Sequence, residues 1–184
     1  NCPHMPGYDG ISVEDLTRAE YEGRERMMGL YDYVSDNLTG FENSKMLGAA
    51  EQDGVRTTRM LKGEYVVSKD DIVNRRFCED TVCRGRDYYT PYRALLPTGV
   101  EQLIVAGRHY SAEPEAQKRS REIPPCMVQG EVAGIAASLA LNENIQIRDV
   151  DYRAIQKAMR AQGADPGDKP SANATGVEDF AQSA

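Results

Sequence analysis

The tightest constraint on this chain lies between Gln102 and Ala140. A short apolar strand, Gln102 to Ala106, runs into Gly107-Arg108, then a loop, then a helix opened by Pro124-Pro125. The strand is apolar on both faces, the pattern of a strand inside a parallel sheet. A glycine at its end lets a backbone or ligand approach where a Cβ would stand in the way. Proline presets the backbone for a first helical turn, and the stripe that follows is Ala, Gly, Ile and Leu without bulky aromatics. The start of such a helix carries partial positive charge and N–H groups without intrahelical partners. Gly130, Ala133 and Gly134 allow it to lie close to a neighbour. Two readings are open at this level: a tight helix-on-sheet contact, or an anion or cofactor site.

A chain of 184 residues suffices for one domain with its own core. With 40% apolar residues and no tryptophan, that core is modest and suits a chain that buries surface against something else. Lys+Arg 22 against Asp+Glu 29 gives a net charge of −7, which argues against a polyanion partner, since phosphate binding needs a concentrated positive footprint. The longest apolar run, Ile135 to Leu141, is too short to span a bilayer, and no secretory signal pattern is present. Cys2, Cys78, Cys83 and Cys126 show neither a C-x-x-C pair nor zinc spacing. Reduced thiols and a cytoplasmic location are therefore expected, with a Cys78–Cys83 bridge as the alternative. His4 beside Cys2 reads as an unordered terminus rather than a metal site. The sequons at Asn37 and Asn173 mean little without a secretory route. Asn1 in place of methionine suggests a chain that begins inside a longer product or after processing.

Along the chain, Ser12 with Asp15 marks a helix start, and Leu16, Ala19, Met27, Leu30, Val34 and Leu38 recur at helical spacing. This predicts a helix from about Val13 to Asp36, ending near Gly40, with Gly23 and Gly29 placed for close packing. Lys45–Ala50, Arg56–Leu61 and Glu64–Val67 read as strands broken by glycines. Ser68 caps a short helix from Lys69 to Asn74, residues 76–90 read as loop, and a last helix capped by Asp149 carries Tyr152, Ile155 and Met159 before Gly163. Beyond Ala164 the sequence is polar and Pro/Gly-rich, a tail or docking arm.

Several blocks, in order, resemble the FAD-dependent oxidoreductase family, distant relatives of fumarate reductase-like flavoproteins. They are DLTRAEYEGR (15–24), GVRTTRMLKGEYVVSKDDI (54–72), YTPYRALLP (89–97), VAGRHYSA (105–112) and PPCMVQGEVAGIAA (124–137). The resemblance implies an α/β (α+β) chain: the C-terminal part of a Rossmann-type FAD-binding fold plus part of a substrate domain. It places a substrate or cap portion at 1–90, a cofactor portion at 91–163 and a tail at 164–184. FAD is the implied cofactor, and redox chemistry at its ring the implied reaction. The family's N-terminal G-x-G-x-x-G cradle has no counterpart here. The expectation is a small subunit or C-terminal fragment in a hetero-oligomer, incomplete without a larger chain or segment that carries the cradle.

By the same resemblance, Gly107, Arg108 and Ser111 fall in the block lining the flavin, and Pro125, Cys126, Met127 and Gly130 at the helix start facing its pyrimidine edge. Cys126 also reads as a small buried thiol without chemistry. Arg56 and Arg59 suit a fork on a substrate carboxylate or enolate, or equally an ion pair with Glu64 or Asp53. Arg93 faces cofactor or substrate. His109 stands where relatives often carry cysteine, and Pro114 where they often have histidine. His109 is thus open as a proton donor or acceptor, as a covalent flavin link, or as a hydrogen-bonded loop residue. The leading expectation is hydride transfer from an organic substrate to flavin N5; the alternative is a non-catalytic scaffold subunit. A hydrolase built on Ser111 and His109 ranks last, for want of a G-x-S-x-G elbow.

Overall fold

A computed structural model describes residues 3–86 and 88–168. Two compact units divide between Thr58 and Arg59, and each is described by itself.

The first unit is organised by one helix, α1 (Val13–Asn37). Ser12 is extended and its Oγ accepts from Asp15 N–H at 3.3 Å, while Glu14 and Asp15 complement the positive end of the dipole. Asp15 does not close the box on Ser12; its carboxylate takes the N–H of Asp9 at 2.8 Å. Ion pairs one turn apart, Arg18–Asp15 and Arg24–Glu20, run along the surface. Of the helix residues Ala19 alone is buried, and Tyr21 and Tyr33 are 75% and 60% exposed. Gly23 lies against Asp53, as expected, but nothing stands within 4 Å of a Cβ built on Gly29. The strands expected at Lys45–Ala50 and Arg56–Leu61 are absent; residues 45–50 and 54–57 are irregular and largely exposed. Alternating side chains alone do not make a strand: the backbone needs a ladder partner, and here none is provided among the described residues.

The second unit holds the core. Short α2 (Lys69–Val73) starts with a full capping box: Ser68 Oγ accepts from Asp71 N–H at 3.1 Å, and Asp71 Oδ2 from Ser68 N–H at 2.9 Å. Residues expected as loop form a hairpin, β1 (Thr81–Arg84) antiparallel to β2 (Tyr89–Pro91), with a bulge between Thr81 and Cys83. The hairpin hides in sequence because both strands are buried and so show no alternation: Thr81, Val82, Cys83, Tyr89 and Thr90 are all covered. Cys83 and Cys78 are free thiols, so the bridge between them is not formed. A 3-10 turn, Tyr92–Leu95, leads away from the hairpin.

The expected buried strand at Gln102–Ala106 is also absent. Gln102 sits at φ +50, Leu103 is 45% exposed, and Val105 N–H bonding to the Leu95 carbonyl at 2.8 Å is a lone tie rather than a ladder. Glu64–Val67 makes a single isolated bridge, Val67 with Ala112, and Gly63 just before it another with Pro97. Mixed α and β is thus the observed class among the described residues, helices around one two-stranded sheet.

Helices α3 (Pro114–Ser120), α4 (Ile123–Glu143) and α5 (Tyr152–Ala161) complete the unit. α4 begins at its proline pair, as expected, and ends on Asn144 in the left-handed region at φ +54, the role glycine usually takes. α5 is capped by Asp151, not Asp149, which belongs to the preceding 3-10 turn. Val132, Ala136 and Ala140 of α4 and Ile155 and Met159 of α5 pack on Val67, Val82, Tyr92, Leu95 and Leu96. Residues 164–168 fold back on β1, with Arg84 3.6 Å from Asp165 and Gly167 close against Thr81. The rest of the expected tail, the sequon at Asn173 and Cys2 lie outside the described residues.

Candidate functional site

Gly107, Arg108 and His109 form a tight exposed turn. Gly107 adopts φ +107, a conformation costly to any residue with a Cβ, and Tyr110 N–H closes on the Gly107 carbonyl at 3.1 Å. Each end of the turn is anchored: Gly107 N–H to Gln129 Oε1 at 2.8 Å, the Arg108 carbonyl to Gln117 Nε2 at 3.1 Å, the His109 carbonyl to Leu61 N–H at 2.9 Å. Tyr110 is buried beneath, its hydroxyl 2.6 Å from Ser120 Oγ; burial pushes that phenol well above its ordinary range. The side chains of Arg108 and His109 point to solvent, and among the described residues their N–H groups meet no acceptor.

Ser111 sits differently. It is fully buried and its Oγ accepts from Gly63 N–H at 3.0 Å, so its hydroxyl fastens two loops together. That also removes the serine hydrolase idea, since a nucleophile must be reachable.

The start of α4 stands beside the turn: burial raises the Cys126 thiol and the charge of Arg108 partly offsets this. It is poor in amides, contrary to expectation. Pro124 and Pro125 carry no N–H, and Cys126 N–H is taken by the Glu122 carbonyl at 3.3 Å. The Glu122 carboxylate, which accepts from Tyr88 Oη at 3.3 Å, adds negative charge there. The helix end is therefore a weaker anion site than its position suggests, and the free amides of the turn are the better donors. Pro125 is buried, its carbonyl accepting from Cys83 Sγ at 3.5 Å. Met127 and Ile123 are 70% and 76% exposed, and Gly130 and Gly134 have open space above them.

The arginines serve different parts of the chain. Arg93 forks onto buried Asp80, Nε–Oδ2 2.9 Å and Nη2–Oδ1 3.1 Å, and lies 5.2 Å above the Tyr65 ring centroid. This bond to Asp80 raises its pKa further and fixes the guanidinium structurally. Arg59 is exposed in the second unit. Arg56 belongs to the first, where it lines a cleft of about 380 Å³. Glu64, expected to pair with one of them, is held by Arg148 at 2.7 Å.

Sequence reasoning missed Gln117, Gln129 and Asp80. Polar residues inside helical stripes or loops carry no signal until the fold buries them. It also missed a cavity of about 580 Å³ lined by Arg76, Cys78, Glu79, Arg93 and Tyr152. Burial pushes up the Cys78 thiol there, and burial with a hydrogen bond to Asp71 carries nearby Tyr65 up to about 12. Among the described residues no cluster of His, Cys, Asp and Glu could hold a metal ion, and no helix is long and apolar enough to cross a membrane.

The sequence profile of the FAD dependent oxidoreductase family matches residues 1–88 and 84–159. The chain belongs to that family, and its cofactor is FAD. No curated protein matches it, and no solved structure does.

The residues present suit the ring end of FAD. Exposed apolar Ile123 and Met127 and the bare backbone at Gly130 and Gly134 offer a surface for a flat ring, and the unbonded amides of Arg108 and His109 offer donors for its polar edge. One buried polar atom nearby, Gln129 Nε2, has no partner among the described residues. Nothing in the sequence resembles a glycine-rich cradle for the pyrophosphate.

Proposed function

We propose that this chain forms the ring-facing and substrate-facing part of an FAD-dependent oxidoreductase whose pyrophosphate-binding part, of Rossmann type, comes from another polypeptide segment. The observation that carries this is the outer face of α4. The helix is mostly apolar, with Glu131, Ser138 and Asn142 along one line of its surface and Gln129 buried. Yet Ile123, Met127 and Leu141 are 76%, 70% and 82% exposed on one side. Large apolar side chains left in water on one line of a helix are costly, each gaining about 1.5–3 kcal/mol on full burial. Something covers that face, and the same helix anchors the Gly107–His109 turn through Gln129.

In this reading residues 91–163 serve the cofactor and 1–90 the substrate. FAD when bound supplies a hydride acceptor at N5 for an organic substrate. Arg108 and His109 donate their amides to negative charge on the ring's polar edge, with the Arg108 guanidinium adding positive charge. His109 is the group best placed to take or give a proton beside the ring. Arg59 is the arginine still available for a substrate carboxylate, while Arg93 supports the fold. The test is spectroscopic. The chain produced alone is expected to be colourless, and the tagged chain recovered from its source cells to carry a visible flavin band. Stoichiometric, tight FAD binding by the chain alone would overturn the shared-site reading.

A scaffold role is the second reading, favoured by the commitment of Ser111 and Arg93 to internal contacts. His109→Ala separates the two in the recovered enzyme. Loss of turnover with flavin retained supports catalysis, whereas unchanged turnover supports a scaffold.

A further inference from the structure

We propose that Gln129 and Gln117 are the positioning residues of the Gly107–His109 turn, an inference that rests on the flavin-site reading above. They come from different helices, α4 and α3, and are 0% and 1% exposed. They grip adjacent peptide groups with opposite polarity. Gln129 accepts, its Oε1 2.8 Å from Gly107 N; Gln117 donates, its Nε2 3.1 Å from the Arg108 carbonyl. The backbone fixes which end of each amide faces it, since an N–H can only donate and a carbonyl only accept.

Two observations give the pair more than a packing role. First, Gln129 Nε2 is buried with no partner among the described residues, a state that buried polar groups rarely occupy. Leucine or methionine would fill the same space without an orphaned donor, so what glutamine adds at 129 is the acceptor for Gly107. Second, the anchors leave a specific remainder. Gln129, Gln117, Leu61 and Tyr110 occupy the Gly107 N–H and the carbonyls of Gly107, Arg108 and His109. The unbonded groups are the consecutive N–H donors of Arg108 and His109. The clamp therefore holds the backbone that carries two unbonded donors in place before any ligand arrives, the kind of preorganisation that stabilises charge without reorganisation.

The polarity makes the test selective. Gln129→Met keeps volume and loses the acceptor; Gln129→Glu keeps the acceptor. Amide hydrogen exchange in the full chain is read at Gly107, with Ala136 in the middle of α4 as an internal control. Gln129→Met is expected to speed exchange at Gly107 by about tenfold while Ala136 stays unchanged, and Gln129→Glu to restore protection. Unchanged exchange at Gly107 in Gln129→Met overturns the clamp. If that variant fails to fold, Gln117→Met reads the same device from the other side, through faster exchange at Tyr110, and no change there is equally fatal. The flavin band of chain recovered from its source cells adds the functional readout. A shifted band and weaker retention of FAD in Gln129→Met, both reversed in Gln129→Glu, support positioning; a band and retention identical to wild type overturn it. A wild-type chain recovered without flavin defeats the flavin-site reading instead, and exchange at Gly107 still decides whether the glutamines hold the turn.

Discussion

Helices α1 and α4 are both long, and they are held by opposite means. α1 spans 25 residues with Ala19 as its buried residue, so its stability comes from Ser12, the first-turn acids and ion pairs along its surface. α4 spans 21 residues, lacks a side-chain cap, and buries Pro125, Gln129, Val132, Ala136 and Ala140. The difference shows which kind of contact sequence can reveal. Caps and one-turn ion pairs are local and legible; which face of a mostly apolar helix is buried is not.

The largest effect should come from the packed side. Ile155→Ala removes a fully buried side chain from the α4–α5 contact and should cost about 2–5 kcal/mol, read as a lower urea midpoint. A loss under about 1 kcal/mol would mean the core around α4 is looser than its buried side chains imply. Gly107→Ala comes next. The added Cβ would lie 3.5 Å from His109 Cε1, an ordinary contact, so the penalty is backbone strain at positive φ, about 1–2 kcal/mol. Flavin retention should fall with it.

Acid should act on α2 in the same unit. Burial alone would raise the Asp71 carboxyl, but hydrogen bonds from Ser68 and Tyr65, with Arg76 nearby, outweigh it and leave the group below its ordinary value. A depressed carboxylate contributes its stability above the unfolded pKa and loses it as pH falls through the folded value. Stability should therefore decline on acidification below the usual carboxylate range, and Asp71→Asn should flatten that part of a stability–pH curve. The smallest effect belongs to α1: Ser12→Ala removes the N-cap at about 1 kcal/mol. Faster amide exchange confined to the first turn of α1 is the expected reading, and spread of the effect into the core would break the contrast between the two helices.

The comparison also explains what could be read in advance. Ser12, Ser68 and the proline pair at 124–125 marked their helices because a cap acts on its own next few residues. Gly107 was legible as a special position, though the reason is its backbone at φ +107 rather than a Cβ standing in the way. The hairpin at 81–91 was not, since its strands are buried almost throughout and lack alternation. Gln102–Ala106 failed in the reverse sense: its apolar run had the look of a strand without any ladder to join. Of the candidate site, Arg108, His109, Met127 and Gly130 are exposed where a ligand can reach them, whereas Ser111, Pro125 and Arg93 are spent on the protein itself.

By itself, the sequence determined family, cofactor and the starts of α1, α2 and α4, because motifs and caps are properties of neighbouring residues; α3 went unread and α5 starts at Asp151 rather than Asp149. Tertiary structure decided which polar groups are consumed: Asp80 on Arg93, Gly63 on Ser111, Gln129 and Gln117 on the turn. Those pairings join residues from 9 to 48 positions apart. A hydrogen bond depends on distance in space, and no local pattern in the chain records it.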